Sequence, residues 1–451
     1  MLPCSHILPI PRTVRQNATQ YNTTCNTPCN NATQDRVRDE GAVFTRAYTA
    51  GPKCAPARYS ILTGRYCSLA EYAQDVGQTS ATRTYVEVPS CKLNGTAELA
   101  GTVPQVLKGL GYATIVSGKY HILNGGDWDD YDTTIASIQE AGFSDDGGTW
   151  YTNMGSTSLE FSHNLEYAVN KSLNAVAAAL DVGQPFFLYF AATAPHAPIM
   201  QTALEFSMLA TPEGTLMEAP TTTMPDRGTI SGRISGASGR SERSIALGTV
   251  WFDDAVGAIL DHLEGKRGVL DDTIVITYMD HGMAAKDSLY EGGIRIAHAV
   301  RYPKFIQGGT VLDDIVSSMD FGSTIFEVVG VDASSLTGTS WWGLVTGEGR
   351  NAPAAIVSEI SLDRAVVAKH FKLLSSESGD TTDNYPASGE VIQLYNLDED
   401  PTEQTNLAAS NDHAGILTQM MAYLACHVAS TLPKGEDSCD LTTMNELDLE
   451  E

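Results

Sequence analysis

Two rhythms of apolar and polar residues alternate along this chain. Three short runs are apolar at consecutive positions: YATIV at 112–116, FFLYFAA at 186–192 and TIVITYM at 273–279. Continuous apolarity over that length predicts strands buried on both faces of a parallel sheet. Between them, AVNKSLNAVAAALD (168–181) and VWFDDAVGAILDHLE (250–264) carry apolar residues at helical spacing. Asp253 and Asp254 fall in the second of these and read as a solvated face. A further helix is expected in QDRVRDEGA, which contains Asp35. Residues 211–245 are rich in Gly, Ser, Thr and Pro and read as a long surface loop, and Asp129-Asp130 as another.

The rhythm changes near residue 351. AVVAKHFKLL (365–374) and GEVIQLYNL (389–397) read as two antiparallel strands, with NDHAGILTQMMAYLACHVAS (411–430) as a covering helix. Residues 1–33 show no periodicity, and the last residues, NELDLEE, are acidic and expected to fray. The expected organisation is an irregular leader at 1–33, an α/β domain at 34–350 and a C-terminal unit at 351–451. The first domain would hold a large, mostly parallel sheet flanked by helices. The second would be a smaller α+β domain with an antiparallel sheet and an acidic tail.

Composition narrows the partners. The chain has 451 residues, enough for a large core. Its 28 basic and 55 acidic residues leave a formal charge of −27, which repels nucleic acid and anionic membranes. The longest apolar run, PFFLYFAATA at 185–194, is too short to span a membrane. The opening MLPCSHILPIPRTV lacks the pattern of a signal peptide. Asn17, Asn22, Asn31, Asn94 and Asn170 each head an Asn-x-Ser/Thr triplet, which would be glycosylated in the secretory pathway. There are eight cysteines, and setting Cys54 aside leaves an odd number. Cys67 with Cys91 and Cys426 with Cys439 are the pairings to test first. A secretory or extracellular location is the expectation.

Candidate chemistry clusters where the strands end. SGKYH follows YATIV and supplies Lys119 and His121, two apart and so on one side of an extended chain. TAPHAP follows FFLYFAA and supplies His196 between two prolines. DHG follows TIVITYM and supplies Asp280 and His281, with Lys286 shortly beyond. Ligands of open parallel sheets bind outside the carboxyl ends of the strands. The stretch CAPARYSILTGR (54–65) adds Cys54 at the start of a predicted helix closed by Gly64, where free N–H groups favour an anion. Each group alone has an ordinary structural reading; their joint placement at strand ends points to one anion site.

CAPARYSILTGR resembles the signature of the formylglycine-dependent sulfatases of the alkaline-phosphatase-like superfamily, Cys-x-Pro-x-Arg followed by Thr-Gly-Arg. GKYH, TAPHAP, DHG, KDSLYEGGIR (286–295) and LYNLDEDPTEQTNLA (394–408) are similar to that family's later blocks, over about residues 34 to 430. The resemblance implies hydrolysis of sulfate monoesters of carbohydrates or phenols. It implies conversion of Cys54 to formylglycine by a formylglycine-generating enzyme that reads Cys54, Pro56 and Arg58; Ala57 stands where the family usually has serine. One hydroxyl of the hydrated aldehyde would attack sulfur, and the other would collapse to expel sulfate. By the same resemblance, His121 takes the proton of that second hydroxyl and Lys119, His196 and Lys286 hold the sulfate. His196 or Lys286 protonates the leaving oxygen, and Arg58 steadies the hydrate. Formylglycine 54, Asp280 and His281 would ligate a divalent cation, calcium in most relatives.

The resemblance also implies an opening strand ending in two adjacent aspartates, both metal ligands, and residues 1–33 contain none. A fragmentary chain, a replacement acid elsewhere, and a protein that binds sulfated glycans without turnover are three accounts of this difference. A phosphonate or phosphodiester hydrolase with the same aldehyde is the neighbouring alternative.

Overall fold

The computed structural model describes residues 32–71, 73, 91, 93, 101–122, 131–150, 163–196, 200–234, 240–349, 352–376 and 392–431. The expected leader, the acidic tail, Asp129-Asp130 and the triplets at Asn17, Asn22, Asn31 and Asn94 lie outside these residues.

The first described element is α1 (Ala32–Asp39), the helix expected in QDRVRDEGA. It leads into β1 (Ala42–Tyr48), whose burial is nearly complete. Apolar pattern alone does not reveal this strand, because Thr45 and Arg46 interrupt AVFTRAY at a register shift between Phe44 and its successors. Next come α2 (Cys54–Thr63), α3 (Val103–Gly109), β2 (Ala113–Lys119), α4 (Tyr131–Glu140) and β3 (Asp145–Trp150). Then follow α5 (Leu165–Asp181), β4 (Phe186–Ala191), the short hairpin β5 (Ala210–Thr211) and β6 (Gly214–Thr215), and α6 (Arg240–Glu264). The domain continues through β7 (Val275–Tyr278), β8 (Arg295–Arg301), β9 (Thr310–Ser317) and α7 (Asp320–Val329).

These strands form two main sheets. One is parallel, in the order β3-β2-β4. The other, β7-β8-β1-β9, is mixed: β8 runs antiparallel to β7 and β1, whereas β1 and β9 are parallel. Helices α5 and α6 cover one side with a core that includes Val169, Val176, Leu247, Trp251 and Leu260. Helices α2, α3 and α7 cover the other, around Tyr59, Ile61, Val116 and Phe321. All three apolar runs are strands, but two differ from full burial: β7 is only partly buried throughout, and most of β4 is too. Both lie at sheet edges, which leaves part of their surface uncovered.

Two further expectations are corrected. Asp253 and Asp254 are buried rather than solvated. Asp253 accepts hydrogen bonds from the backbone N–H groups of Thr33 (3.3 Å) and Gln34 (3.0 Å), capping α1, and Asp254 pairs with Arg233. Burial outweighs those bonds and pushes the Asp253 carboxyl up to about 6. The span 365–374 is not one strand: β10 (Ala355–Ile360), β11 (Asp363–Ala368), β12 (Phe371–Ser375) and β13 (Ile392–Asn396) form an antiparallel meander. The chain reverses at Lys369, whose φ of 35° is left-handed. Helix α8 (Ala414–Thr431) packs Met420 and Leu424 onto this sheet. A buried cluster ties it to the larger unit: Glu359 accepts from Ser68 Oγ (2.8 Å) and meets His427 (2.9 Å) and Arg364 (3.3 Å).

Cys67 and Cys91 form a disulfide, and Cys426 is disulfide-bonded as well; Cys439, its expected partner, lies outside the described residues. Asn170 sits within α5 and donates to the Thr221 carbonyl at 2.6 Å. Among the described residues no helix is long and apolar enough to cross a membrane.

Candidate active site

Helix α2 carries Cys54 as its first residue, and Lys53 before it is extended and offers no side-chain cap. Gly64 ends the helix with φ 64°, as its place after Thr63 predicts. All ten residues of α2 are buried, Cys54 among them.

Strand β2 brings the second group. Gly118 has φ 83°, and a Cβ there would lie 2.1 Å from the Ala191 carbonyl oxygen, so only glycine lets β2 approach β4 this closely. Lys119 follows with a buried ammonium. The strand ends there, and His121 adopts a left-handed φ of 66°. The expectation of simple alternation is therefore wrong in its geometry: Lys119 and His121 both act on Cys54 because the chain kinks between them. A non-glycine residue held in that region is strained, a feature that concentrates at functional sites.

Strands β4 and β7 supply the rest. Past β4, His196 closes a turn onto the Thr193 carbonyl (3.1 Å) and stands 3.4 Å from the exposed Lys286 Nζ. Past β7, Asp280 accepts from Arg58 at 3.0 Å and from the His281 backbone N–H at 3.1 Å. The same Arg58 donates to the Lys119 carbonyl at 2.6 Å, locking α2, β2 and β7 together. His281 places Nε2 3.3 Å from Cys54 Sγ and holds its other ring nitrogen 2.8 Å from the Gly282 carbonyl. All eight candidate residues thus converge.

Electrostatics follow from this crowding. Burial alone would raise the Cys54 thiol, but contacts with His121, His196 and His281 and the Lys119 charge hold it far below the ordinary range. Burial, reinforced by Arg58, lowers Lys119 to about 8 against the opposing pull of Cys54 and Asp280. Burial also lowers His121, with Lys119 adding to it, which favours a neutral imidazole. His281 goes the other way: Asp280 and Cys54 outweigh burial and raise it. For Asp280, Arg58 and then His281 overcome burial and keep the carboxyl below its usual value.

Cys54, Asp280 and His281 offer ligand atoms that all lie within 4.8 Å of one another, the one such group among the described residues. Calcium takes about six to eight oxygen ligands. Here the protein supplies one carboxylate, with both oxygens already hydrogen-bonded, an imidazole and the atom at position 54. That donor set does not complete a calcium site.

Two residues escaped sequence reasoning. Tyr189 of β4 and Tyr278 of β7 hydrogen-bond each other, and Tyr189 also reaches Arg58. Their signal was present: a tyrosine inside a buried apolar strand needs a partner for its hydroxyl.

The model of the family described as Sulfatase matches residues 13–331, and that of N-sulphoglucosamine sulphohydrolase, C-terminal, matches 279–429. The choline-sulfatase of Rhizobium meliloti is 24% identical over 81% of this chain and 75% of its own length. The human N-acetylgalactosamine-6-sulfatase is 23% identical over 91% and 84%. The crystal structure of Ps i-CgsB in complex with k-i-k-neocarrahexaose shares the fold with a TM-score of 0.65, at 18% identity over 94% of this chain and 92% of that one. The chain belongs to the sulfatase family of the alkaline-phosphatase-like superfamily, enzymes that hydrolyse sulfate esters.

Proposed function

We propose that this protein cleaves a carbohydrate sulfate monoester through residue 54, converted from cysteine to formylglycine. The observation that carries the reading is the meeting of Cys54 with Lys119, His121, His196 and His281 at the end of a buried helix. Similarity to the human N-acetylgalactosamine-6-sulfatase and to the neocarrahexaose complex supports a sugar as the alcohol.

The Cys54 sulfur stands where an oxygen of the hydrated aldehyde would sit. That hydrate would supply one hydroxyl to take the sulfuryl group and a second to release it. The chain's own residues do the rest. Lys119 presents a buried ammonium to the sulfate oxygens, in a site where charge counts for more than in water. His121, kept neutral by burial, is fitted to accept a proton at position 54. His196 and Lys286 stand together on the exposed side, suited to hold the ester and protonate the departing oxygen. Arg58 holds the Asp280 carboxylate, and its charge is suited to steady residue 54. Asp280 and His281 are the protein's contribution to any cation beside residue 54.

Because Pro56 and Arg58 are buried in α2, a formylglycine-generating enzyme would have to act before the chain folds. We take 34–350 as the catalytic domain and 351–451 as a C-terminal subdomain, and place the protein in the secretory pathway, where disulfides such as Cys67–Cys91 persist.

Mass spectrometry of protein from its native host should show an aldehyde at position 54, and that protein should release 4-nitrophenol from its sulfate ester. Unmodified cysteine ends the proposal. Saturable binding of a sulfated glycan without turnover would establish a binder instead.

A further inference from the structure

From Ala47 to Gly64 every residue is buried except Lys53. Its side chain is 51% exposed and stands immediately before residue 54, at the cap position of α2. Helix physics does not ask for lysine there. That position favours Ser, Thr, Asp or Asn, whose side chains accept from the first N–H groups, and the helix dipole disfavours a cation. Lys53 gives α2 no side-chain cap. Its ion-pair partner among the described residues is Asp287, 3.9 Å away and 43% exposed, a contact too long and too wet to account for the residue. A side chain that breaks its local rule without a compensating contact points to function.

The surroundings place this cation on the rim of the site. The backbone N–H of Asp287 donates to the Pro52 carbonyl at 3.2 Å, stitching the loop that carries Lys286 onto the approach to α2. Asp287 holds a φ of 71°, a left-handed value that is strained for a residue other than glycine. Lys286 meets His196 at 3.4 Å, and His196 in turn contacts Cys54. Two exposed cations thus border residue 54, Lys53 through the chain and Lys286 through His196. The chain as a whole carries −27, so an anionic ligand is drawn only by such local cations.

We propose that Lys53 binds a second anionic group of the substrate, a sulfate or a carboxylate on the same glycan, beside the ester that residue 54 cleaves. This role presupposes the sulfatase activity proposed above and narrows its substrate to polyanionic carbohydrates. The substrate anion would take the place of Asp287, whose long contact leaves the ammonium available. Lysine suits the task, because a compact charge on a flexible stem can follow an anion through several positions.

The test is calorimetric binding to the full chain from its native host at physiological ionic strength, where charges more than about 8 Å apart are largely screened. The probes are linear α,ω-disulfonates from ethane to hexane, the matching alkane monosulfonates, and ω-sulfoalkanoates of the same lengths. At least one disulfonate should bind about threefold or more tightly than its monosulfonate, the scale of one exposed ion pair. Lys53→Met should remove that preference. Lys266→Met, which deletes an exposed lysine past the end of α6, should leave it intact. Asp287→Asn retains a side chain that tolerates the left-handed backbone and removes the competing carboxylate, so the preference should grow. A sulfoalkanoate that matches its disulfonate supports a contact for either anion, and one that binds like the monosulfonate supports a contact for sulfate. Equal binding of disulfonate and monosulfonate at every length, or a preference that survives Lys53→Met, would overturn the proposal and leave the sulfatase reading standing. Unmodified Cys54 beside an intact preference would instead refute the sulfatase reading and leave Lys53 a contact for polyanions.

Discussion

Lys119 offers the sharpest test of the site, because its charge is predicted to govern activity and stability in opposite directions. Its ammonium is buried, and burial with Arg58 lowers its pKa to about 8. An unfolded lysine titrates near about 10.4. If the ammonium holds the sulfate oxygens, kcat/KM should fall above pH 8 with the slope of one proton, about tenfold per pH unit. Folding stability should do the reverse. Between about 8 and about 10.4 the unfolded chain binds the proton and the folded chain does not, so stability rises with pH across that window, by an amount on the order of 3 kcal/mol. The Cys54 charge is among the influences that raise Lys119, so conversion to a neutral aldehyde hydrate should move the alkaline limb to lower pH. The assay is turnover of 4-nitrophenyl sulfate from pH 6 to 10, beside urea unfolding at the same pH values. Lys119→Met keeps the stem and deletes the charge: turnover should drop about 10²- to 10³-fold, as when one preorganised donor is lost. The residual rate should lose its alkaline limb. An alkaline limb that persists in this variant, or one that coincides with unfolding, refutes the assignment.

Other expectations follow from the same contacts. Asp280→Asn removes the one carboxylate of the Cys54–Asp280–His281 group and the anionic partner of Arg58; turnover should fall at least 100-fold. Gly118→Ala would drive a methyl into the Ala191 carbonyl and should lower the thermal midpoint by several degrees while weakening sulfate binding. The Glu359 carboxyl is held down to about 2 by Arg364, His427 and Ser68 against burial. Its folded value lies below the unfolded one, so its stabilisation is complete above about pH 4.3 and is lost as pH falls toward 2. Glu359→Gln should cost about 3–5 kcal/mol at neutral pH and flatten that acid limb in urea titrations.

The sequence alone determined a good deal. Chemical identity is local: Cys54, Pro56, Arg58 and Gly64 fall within eleven residues, and helix start and stop signals act over that range. Apolar runs located β2, β4 and β7, and strand ends located Lys119, His196, Asp280 and His281. Only the tertiary structure decided what depends on distant partners. Strand β1 is buried by pairing with β8 and β9 some 250 residues away, despite the polar Thr45 and Arg46. Asp253 became a cap for α1 because packing brought Thr33 and Gln34 over it. Arg58 acquired its place through the Lys119 carbonyl and Asp280, and Lys119 its lowered pKa through burial among them. Residue type and spacing announce which atoms are available. Protonation, pairing and the open edges beside β4 and β7 depend on what the fold sets against them, and no local pattern encodes that.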